Sequence, residues 1–179
     1  MTSILFIIAL TFPVAVASTA FGIEEKKEWG RNLMFALILA LGQGVMYSLG
    51  SLLGGTFMHM MASVSKWIVF ALCFSISFRM LIDTLKIKNG TNLYLIEKKK
   101  HLLLLSVALG VNAFIAGLMA DFMPLLQNKT PYVIMATAFV WAVVSMMIPF
   151  SKMKLTVNSL LNLIFAFVIL VKGILFLLY

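Results

Sequence analysis

Acidic residues are scarce in this sequence of 179 residues, and none of the six lies at the centre of a long apolar stretch. Charged residues of both signs make up only 11% of the chain, whereas a soluble domain has about a quarter. This scarcity excludes an ordinary water-soluble globular fold. The acids lie between the apolar stretches or near their ends: Glu24, Glu25, Glu28, Asp83, Glu97 and Asp121.

Residues that carry chemistry are equally rare. The single cysteine, Cys73, excludes an internal disulfide. The sequence has only two histidines, and it contains no P-loop, no CxxC pair, no HExxH motif and no convincing Ser-His-Asp set. We therefore predict that the protein is not an enzyme and that it needs no resident cofactor.

What the sequence has in abundance is long apolar stretches. The chain is 63% hydrophobic, with a mean hydropathy of +1.08. Six stretches reach the ~20 residues that an α-helix needs to cross a bilayer. The composition predicts an all-α polytopic membrane protein with six transmembrane helices, and the lipid bilayer as its main partner. The predicted spans are 3–23, 33–57, 66–85, 101–125, 131–150 and 155–179.

Basic residues concentrate in alternate loops. Ten of the fourteen Lys and Arg residues lie in loops 24–32, 86–100 and 151–154. By the positive-inside rule these loops are cytoplasmic, and both termini lie outside. The net charge of +8 is then explained by orientation and by contact with anionic headgroups. Nucleic acid is not an expected partner.

The central loop 86–100 divides the single membrane domain, residues 1–179, into halves 1–85 and 101–179. Each half has three spans, so the second half must cross the membrane in the opposite sense. We predict two inverted three-helix repeats, an architecture that places substrate sites near the midplane where the repeats meet. Two pairs of stretches are similar: Ala9-Leu10 with Ala108-Leu109, and Phe78-Arg79 with Val171-Lys172.

Two uncharged amides, Gln43 and Asn112, lie near the middle of spans two and four. An amide left unpaired in hydrocarbon costs several kcal/mol, so both should face the bundle interior. Each side chain could clamp two helices together, which is worth ~0.6 to 2 kcal/mol. Alternatively, their oxygens could join Ser18 in a substrate site.

Helix-breaking and small residues accumulate in the same spans. Pro13 lacks an N–H and frees backbone carbonyls around Ala9. Gly42, Gly44 and Gly117 allow helices to approach closely, which would explain these glycines even if the protein had no substrate site. In a substrate site, these four residues would shape the backbone around the polar side chains.

Three stretches resemble the bacterial manganese efflux pumps of the LysE-type transporter superfamily. Residues 9–20 are similar to a small-residue segment of that family's first helix, residues 67–82 to its third helix, and residues 108–117 to its fourth. The resemblance implies a transporter of the bacterial inner membrane, with Mn²⁺ as the exported cation. It places the site between helices one, two, four and five, around Val14, Ser18, Gln43 and Asn112.

The sequence departs from this family where the metal would bind. The family's first-helix Asp corresponds to Val14, or to Pro13 if the register slips by one, its second-helix Glu to Gln43, and its fourth-helix Asp to Asn112. Only Gln43 and Asn112 keep an oxygen that could be a metal ligand, and neither carries charge. A buried dication would then be uncompensated. The alternative is a degenerate family member that moves a neutral or zwitterionic solute, or a structural membrane protein without transport.

Overall fold

The computed structural model describes residues 2–24, 29–61, 64–88, 99–123, 129–147 and 152–178, and the regular elements in these ranges are α-helices. The prediction of an all-α chain is confirmed for this part. The elements are α1 (Thr2–Glu24), α2 (Trp29–Met61), α3 (Ser65–Lys88), α4 (Lys99–Leu118), α5 (Thr130–Met147) and α6 (Lys152–Leu178).

Four of these helices, α2, α3, α5 and α6, are long and apolar enough to cross a membrane, as judged over the described ranges. A chain with four such helices is a multi-pass membrane protein. The apolar parts of α1 and α4, Ser3–Thr19 and Leu102–Leu118, are shorter. Six transmembrane passes therefore stay a prediction.

The fourth helix is shorter than its predicted span of 101–125, because α4 ends at Leu118. A turn follows, in which the N–H of Ala120 donates to the Gly117 carbonyl and the N–H of Met123 to the Met119 carbonyl, both at 2.9 Å. Pro124 comes next, and a proline disfavours the helical conformation of the residue before it. Asp121 lies exposed in this turn.

Several helices extend into the predicted loops. Within loop 24–32, α2 begins at Trp29, and α3 continues to Lys88 inside loop 86–100. Lys and Arg are good helix formers, so a helix does not have to stop where its apolar part ends. The rest of these two loops, 25–28 and 89–98, lies outside the described residues, as does residue 151.

The most extensive packing in the bundle joins α2 to α4. Gly42 lies against Ser106, Met46 against Gly110, Gly50 against Phe114, and Gly54 against Leu118. The two helices are therefore parallel, with a constant offset of 64 positions. We call this contact the α2/α4 seam.

Two other helix pairs fix the direction of α1. The Thr11 hydroxyl lies 3.5 Å from that of Thr137, and the rings of Phe12 and Trp141 are 5.2 Å apart, so α1 is parallel to α5. The Asn158 amide donates to the Thr19 hydroxyl at 3.1 Å. Since Phe12 also contacts a ring further along α6, Phe165, α1 is antiparallel to α6.

The remaining contacts orient the other helices. Cys73 lies against Gly173, and Asn162 donates to Thr84, so α3 is antiparallel to α6. On α2, Gly44 packs against Met135 and Tyr47 hydrogen-bonds with Thr130, so α2 is antiparallel to α5. Together these pairs make the odd-numbered helices run one way and the even-numbered helices the other.

A buried amide clamps α6 to α3. The Asn162 side chain donates from Nδ2 to the Met80 carbonyl and to the Thr84 hydroxyl, both at 2.9 Å. We expect Asn162→Leu and Thr84→Val to show a coupling free energy of ~0.6 to 2 kcal/mol in a double-mutant cycle. Reversible unfolding in mixed detergent measures it.

The matched control for this cycle is Thr56→Val, because Thr56 is exposed on α2 and donates only to Leu52 of its own helix. Its coupling to Asn162→Leu should be near zero. A coupling of the Asn162–Thr84 pair equally close to zero would contradict the clamp.

Candidate functional site

All four residues predicted to line a site lie in the interior of the bundle. The exposed fraction of the side chain is 0% for Val14 and Ser18, 1% for Gln43 and 2% for Asn112. The expectation that the two amides face inward is therefore met. Whether these residues bind a substrate stays a prediction.

Three of these side chains have an oxygen atom without a hydrogen-bond partner among the described residues. They are Ser18 Oγ, Gln43 Oε1 and Asn112 Oδ1, and each is fully buried. An unsatisfied buried acceptor costs ~1 to 3 kcal/mol. The cost makes these oxygens ready acceptors for a ligand or a water molecule. Two other amides share this property, Asn32 and Asn162.

The position of Gln43 on α2 directs its amide between two neighbouring helices. Gly42, one residue earlier, faces Ser106 of α4, and Gly44, one residue later, faces Met135 of α5. Successive helical residues are about 100° apart. Gln43 therefore lies between the α4-facing and α5-facing sides of α2, where it points into the bundle.

Asn112 lies at a different depth from Gln43. The offset of 64 along the α2/α4 seam makes Gln43 level with Val107 of α4. Asn112 lies five residues further along α4, which is about 7 to 8 Å at 1.5 Å per residue. The two amides therefore follow one another along the bundle axis and do not face each other at one level.

Val14 takes part in packing and offers no ligand atom. It lies in a buried apolar cluster with Leu39 of α2, Leu105 of α4 and Ala138 of α5. The cluster brings together the four helices expected to form the site. An apolar side chain cannot coordinate an ion, so Val14 can only shape the space that the others line.

Pro13 lies inside α1 and has polar residues near it in the sequence, but their hydroxyls bond to other carbonyls. Pro13 is buried. The Thr11 hydroxyl donates to the Ile7 carbonyl at 2.9 Å, and the Thr19 hydroxyl donates to the Ala15 carbonyl at 2.8 Å. These two side chains therefore satisfy carbonyls other than that of Ala9, which Pro13 frees.

The three glycines that would shape the backbone of a substrate site lie at close helix contacts, and their role in such a site stays a prediction. A Cβ atom at Gly117 would overlap the carbonyl oxygen of Tyr47, and one at Gly42 would overlap the Ser106 hydroxyl. Gly44 similarly leaves room for the side chain of Met135. In the α2/α4 seam the Ser106 hydroxyl also donates to the Ile38 carbonyl at 3.1 Å.

The oxygens in the interior are all neutral in the described part of the chain. No group of three or more His, Cys, Asp or Glu residues that could hold a metal ion occurs there. Of the carboxylates whose side chains are described, Asp83 is half-buried on α3 and Asp121 is exposed. Amide and hydroxyl oxygens are ligands that hard cations accept, but they leave the charge of the cation uncompensated.

Sequence reasoning missed Asn162, a buried amide whose Nδ2 donates to two acceptors on α3. It lies well inside the sixth apolar stretch, so the criterion that selected Gln43 and Asn112 applies to it equally. Thr84 was harder to find, because a threonine in a membrane helix usually donates to its own helix, as Thr84 does to the Met80 carbonyl.

Comparisons with known proteins support the resemblance seen in the sequence. Residues 26–177 match the Mntp family model, described as "Putative manganese efflux pump". A protein of Bacteroides thetaiotaomicron named "Putative manganese efflux pump MntP" is 28% identical over 115 residues, which are 64% of this chain and 60% of that protein. A protein of the same name from Bacteroides fragilis (strain ATCC 25285) is 28% identical over 120 residues, 66% of this chain and 62% of the relative.

The extent of these matches matters for the site. The aligned parts span about three-fifths of the two relatives' length, and no solved structure matches the chain. The family match includes Gln43 and Asn112, whereas Val14 and Ser18 on α1 lie before its first residue. Since the match covers most of the chain, from before α2 almost to the end of α6, the protein belongs to the MntP family.

Proposed function

We propose that this protein exports Mn²⁺, or a divalent cation of similar chemistry, across the bacterial inner membrane. The transport path lies between α1, α2, α4 and α5. The observation that carries this proposal is the set of three buried oxygens without partners on Ser18, Gln43 and Asn112. Membership of the MntP family supplies the class of substrate, because the names of the relatives refer to manganese efflux.

The proposed architecture is six passes in two inverted repeats. The alternating helix directions support it, because they give the two halves opposite orientations. Burial also repeats between α3 and α6 at an offset of 93 positions. Cys73, Ile76 and Met80 are fully buried on α3, and their counterparts on α6 are buried too: Ala166, Ile169 and Gly173.

The proposed topology follows from this architecture and the basic residues. With loops 24–32, 86–100 and 151–154 in the cytoplasm, both termini lie outside. On this topology Gln43 is nearer the cytoplasm than Asn112, because α2 and α4 both run outward. An exported ion would reach Gln43 first.

The depth difference between the amides suggests that they act in succession. Gln43 and Asn112 are separated by about 7 to 8 Å along the parallel helices. A cation that keeps some of its water could exchange one amide oxygen for the next as it moves outward. Mn²⁺ accepts carbonyl and water oxygens as ligands, so partial hydration suits this neutral lining.

Export of a dication from a negative interior requires a driving reaction. Moving two charges against the membrane potential costs ~4.6 kcal/mol per 100 mV. The proposed cycle therefore includes a coupling ion that moves inward. It also requires no resident cofactor, because Mn²⁺ is the cargo.

The test uses a bacterial strain without its own manganese exporter. Expression of the wild-type protein should lower intracellular Mn²⁺ several-fold during growth in Mn²⁺, as measured by elemental analysis. Gln43→Leu and Asn112→Leu should abolish this decrease, because each replaces an amide on the proposed path with an apolar side chain of similar volume. Equal intracellular Mn²⁺ with and without the wild-type protein would refute Mn²⁺ export.

Ser75→Ala is the matched control for this experiment. Ser75 is an exposed hydroxyl on α3 that donates to Ala71 of its own helix, and its loss should leave export unchanged. Membrane abundance of each variant, measured by immunoblot, separates lost transport from lost protein.

The neutral lining favours a second candidate function, movement of a neutral or zwitterionic solute. Gln43 and Asn112 can each donate and accept hydrogen bonds, which suits a polar solute without net charge. In this case the protein would have the fold of its family but would not transport Mn²⁺. A structural membrane protein that transports nothing is the third outcome, and acid substitutions at these positions separate the three.

A further inference from the structure

Two grooves on the lipid-facing surface of the bundle each contain one basic side chain. The first, the α1/α6 groove, has a volume of about 440 Å³ and is lined by apolar residues and Lys172. The second, the α3/α4 groove, has a volume of about 450 Å³ and contains Arg79. Neither cation belongs to the transport path proposed above.

The α3 lining of the second groove corresponds to part of the α6 lining of the first under an offset of 93 positions. Arg79 corresponds to Lys172, and every lining position of the α3/α4 groove from Phe74 to Ile82 has its counterpart in the other groove. The paired residues are Phe74 with Phe167, Ser75 with Val168, Phe78 with Val171, Arg79 with Lys172, and Ile82 with Leu175.

Both grooves are open to lipid over similar side chains. Phe78 is 54% exposed, and its counterpart Val171 is 48% exposed. The α6 part of the first groove runs from Leu163 to Leu175, a length of about 18 Å. One leaflet of the hydrocarbon core is about 15 Å deep, so the first groove is about as long as a lipid tail region, whereas the α3 lining of the second, from Phe74 to Asp83, is about 13 Å long.

The basic groups lie towards opposite membrane surfaces. Arg79 and Lys172 each lie between the middle and the C-terminal end of their own helix. Because α3 and α6 are antiparallel, these two ends are at opposite membrane surfaces. Lys172 is six residues before Leu178, where α6 ends, and a lysine stem can carry its ammonium further towards the surface.

The contacts of Arg79 show its direction. The guanidinium donates from Nη2 to the carbonyl of Ala108 on α4. Cys73 of α3 touches Met119, the residue directly after α4, at 3.7 Å, and in this antiparallel pair Ala108 is then level with Thr84. The side chain of Arg79 therefore extends about one turn towards the end of α3, and its guanidinium has five N–H donors, more than the Ala108 carbonyl can accept.

We propose that each groove holds one anionic phospholipid, with its phosphate at the basic side chain and one acyl chain along the apolar lining. The Lys172 lipid belongs to one leaflet and the Arg79 lipid to the other. With the orientation proposed above, these are the outer and the cytoplasmic leaflet. Charge complementarity selects the anionic lipid, because Lys172 is half-buried among apolar side chains, where a cation needs a counter-charge, and anionic headgroups attract Lys and Arg at the membrane surface.

Only one of the two sites contains an acidic residue among the described residues. Asp83 lines the α3/α4 groove, whereas its counterpart by the offset of 93, Phe176, is apolar. A carboxylate close to Arg79 weakens the attraction for phosphate. We therefore expect the Lys172 site to bind the anionic lipid more tightly than the Arg79 site.

The experiment is native mass spectrometry of the full chain in detergent, titrated with dioleoylphosphatidylglycerol or with dioleoylphosphatidylcholine. The wild type should retain two molecules of the anionic lipid in preference to the zwitterionic one. Lys172→Gln should weaken the tighter site about fivefold, and Arg79→Gln the weaker site by a similar factor, as expected for one basic residue near an anionic surface. Lys172→Arg and Arg79→Lys should retain both molecules.

Lys66→Gln is the matched control, because Lys66 is an exposed lysine of α3 outside both grooves, and it should bind like the wild type. Equal retention of the two lipids by the wild type would overturn the proposal. So would unchanged lipid binding by Lys172→Gln, or a persistent dimer that excludes lipid. Displacement of the lipid by inorganic phosphate alone would show an anion site without a place for the acyl chain, and would overturn it as well.

Discussion

Gly117→Ala is expected to abolish stable packing between α2 and α4. The added Cβ would overlap the Tyr47 carbonyl oxygen and lie 2.8 Å from the backbone nitrogen of Ser51. Both atoms belong to the backbone of α2 and cannot rotate away, so the helices would have to separate along the whole seam. We expect a loss of at least about 3 kcal/mol of unfolding free energy, the upper end of the cost of overpacking. Thermal unfolding of the detergent-solubilised protein measures it.

Gly30→Ala is the matched control for the seam. Among the described residues, no atom outside the adjacent backbone of α2 lies within 4 Å of a Cβ built at Gly30, so alanine there should be neutral or stabilise α2 by up to ~1 kcal/mol through helix propensity. The loss of unfolding free energy in Gly42→Ala should lie between those of Gly117→Ala and Gly30→Ala, because its Cβ meets the side chain of Ser106, whose hydroxyl can rotate. If Gly117→Ala unfolded like the wild type, α2 and α4 could not pack at the offset of 64.

Gln43→Glu combined with Asn112→Asp is expected to create strong Mn²⁺-dependent stabilisation. The two substitutions keep the shape of each side chain and supply the negative charge that the path lacks. Without metal, the variant should be less stable than the wild type by a few kcal/mol, since two buried carboxylates lack partners. With Mn²⁺ at 100 times its dissociation constant, binding should raise the free energy of unfolding of this variant by ~2.7 kcal/mol.

Unfolding temperatures with Mn²⁺ and with chelator test this expectation, and Asn162→Asp serves as the control. Asn162 is also a buried amide with an unpartnered oxygen, but it bonds to α3, outside the proposed path. The same Mn²⁺ shift in Asn162→Asp, or no shift in a folded double variant, would contradict a path along Gln43 and Asn112.

The same variant separates the candidate functions. Mn²⁺ export by both the wild type and the acid variant supports the first proposal. If only the acid variant exports Mn²⁺, the native chain uses the same path for another solute. If the acid variant binds Mn²⁺ and neither protein changes intracellular Mn²⁺, the chain keeps the site without transport.

Hydropathy was sufficient to locate the helices of this protein. Each predicted span overlaps one helix, because a segment in lipid must satisfy its backbone hydrogen bonds within itself. The end of α4 was placed too late, since residues 119–125 are apolar enough to extend the span. The turn before Pro124 depends on local backbone preference, which hydropathy does not include.

The interior position of Gln43 and Asn112 could also be predicted, because the desolvation cost of an amide decides it. Their relative depth could not. Gly42, Gly50 and Gly54 indicate a small-residue face, but they do not identify the partner helix or its direction. That information comes from the fit of Gly50 against Phe114 and Gly54 against Leu118, which is a property of two surfaces together.

The family could be recognised from short stretches, whereas the role of Val14 could not. Sequence similarity aligned Val14 with an acidic position of the family. In the structure it supplies an apolar surface where four helices meet. A single sequence does not show whether Val14 replaces an acidic ligand or is simply a packing residue, because a valine fits an apolar stretch in both cases.

The α2/α4 seam has a mechanical consequence for any conformational exchange. It joins a helix of the first half to a helix of the second half, backbone against backbone, with little side chain between them. Interfaces of this kind resist sliding, since a shift of a fraction of a turn brings carbonyls into overlap. In a transport cycle α2 and α4 would therefore move as one rigid body. The moving unit would contain one helix from residues 1–85 and one from residues 101–179.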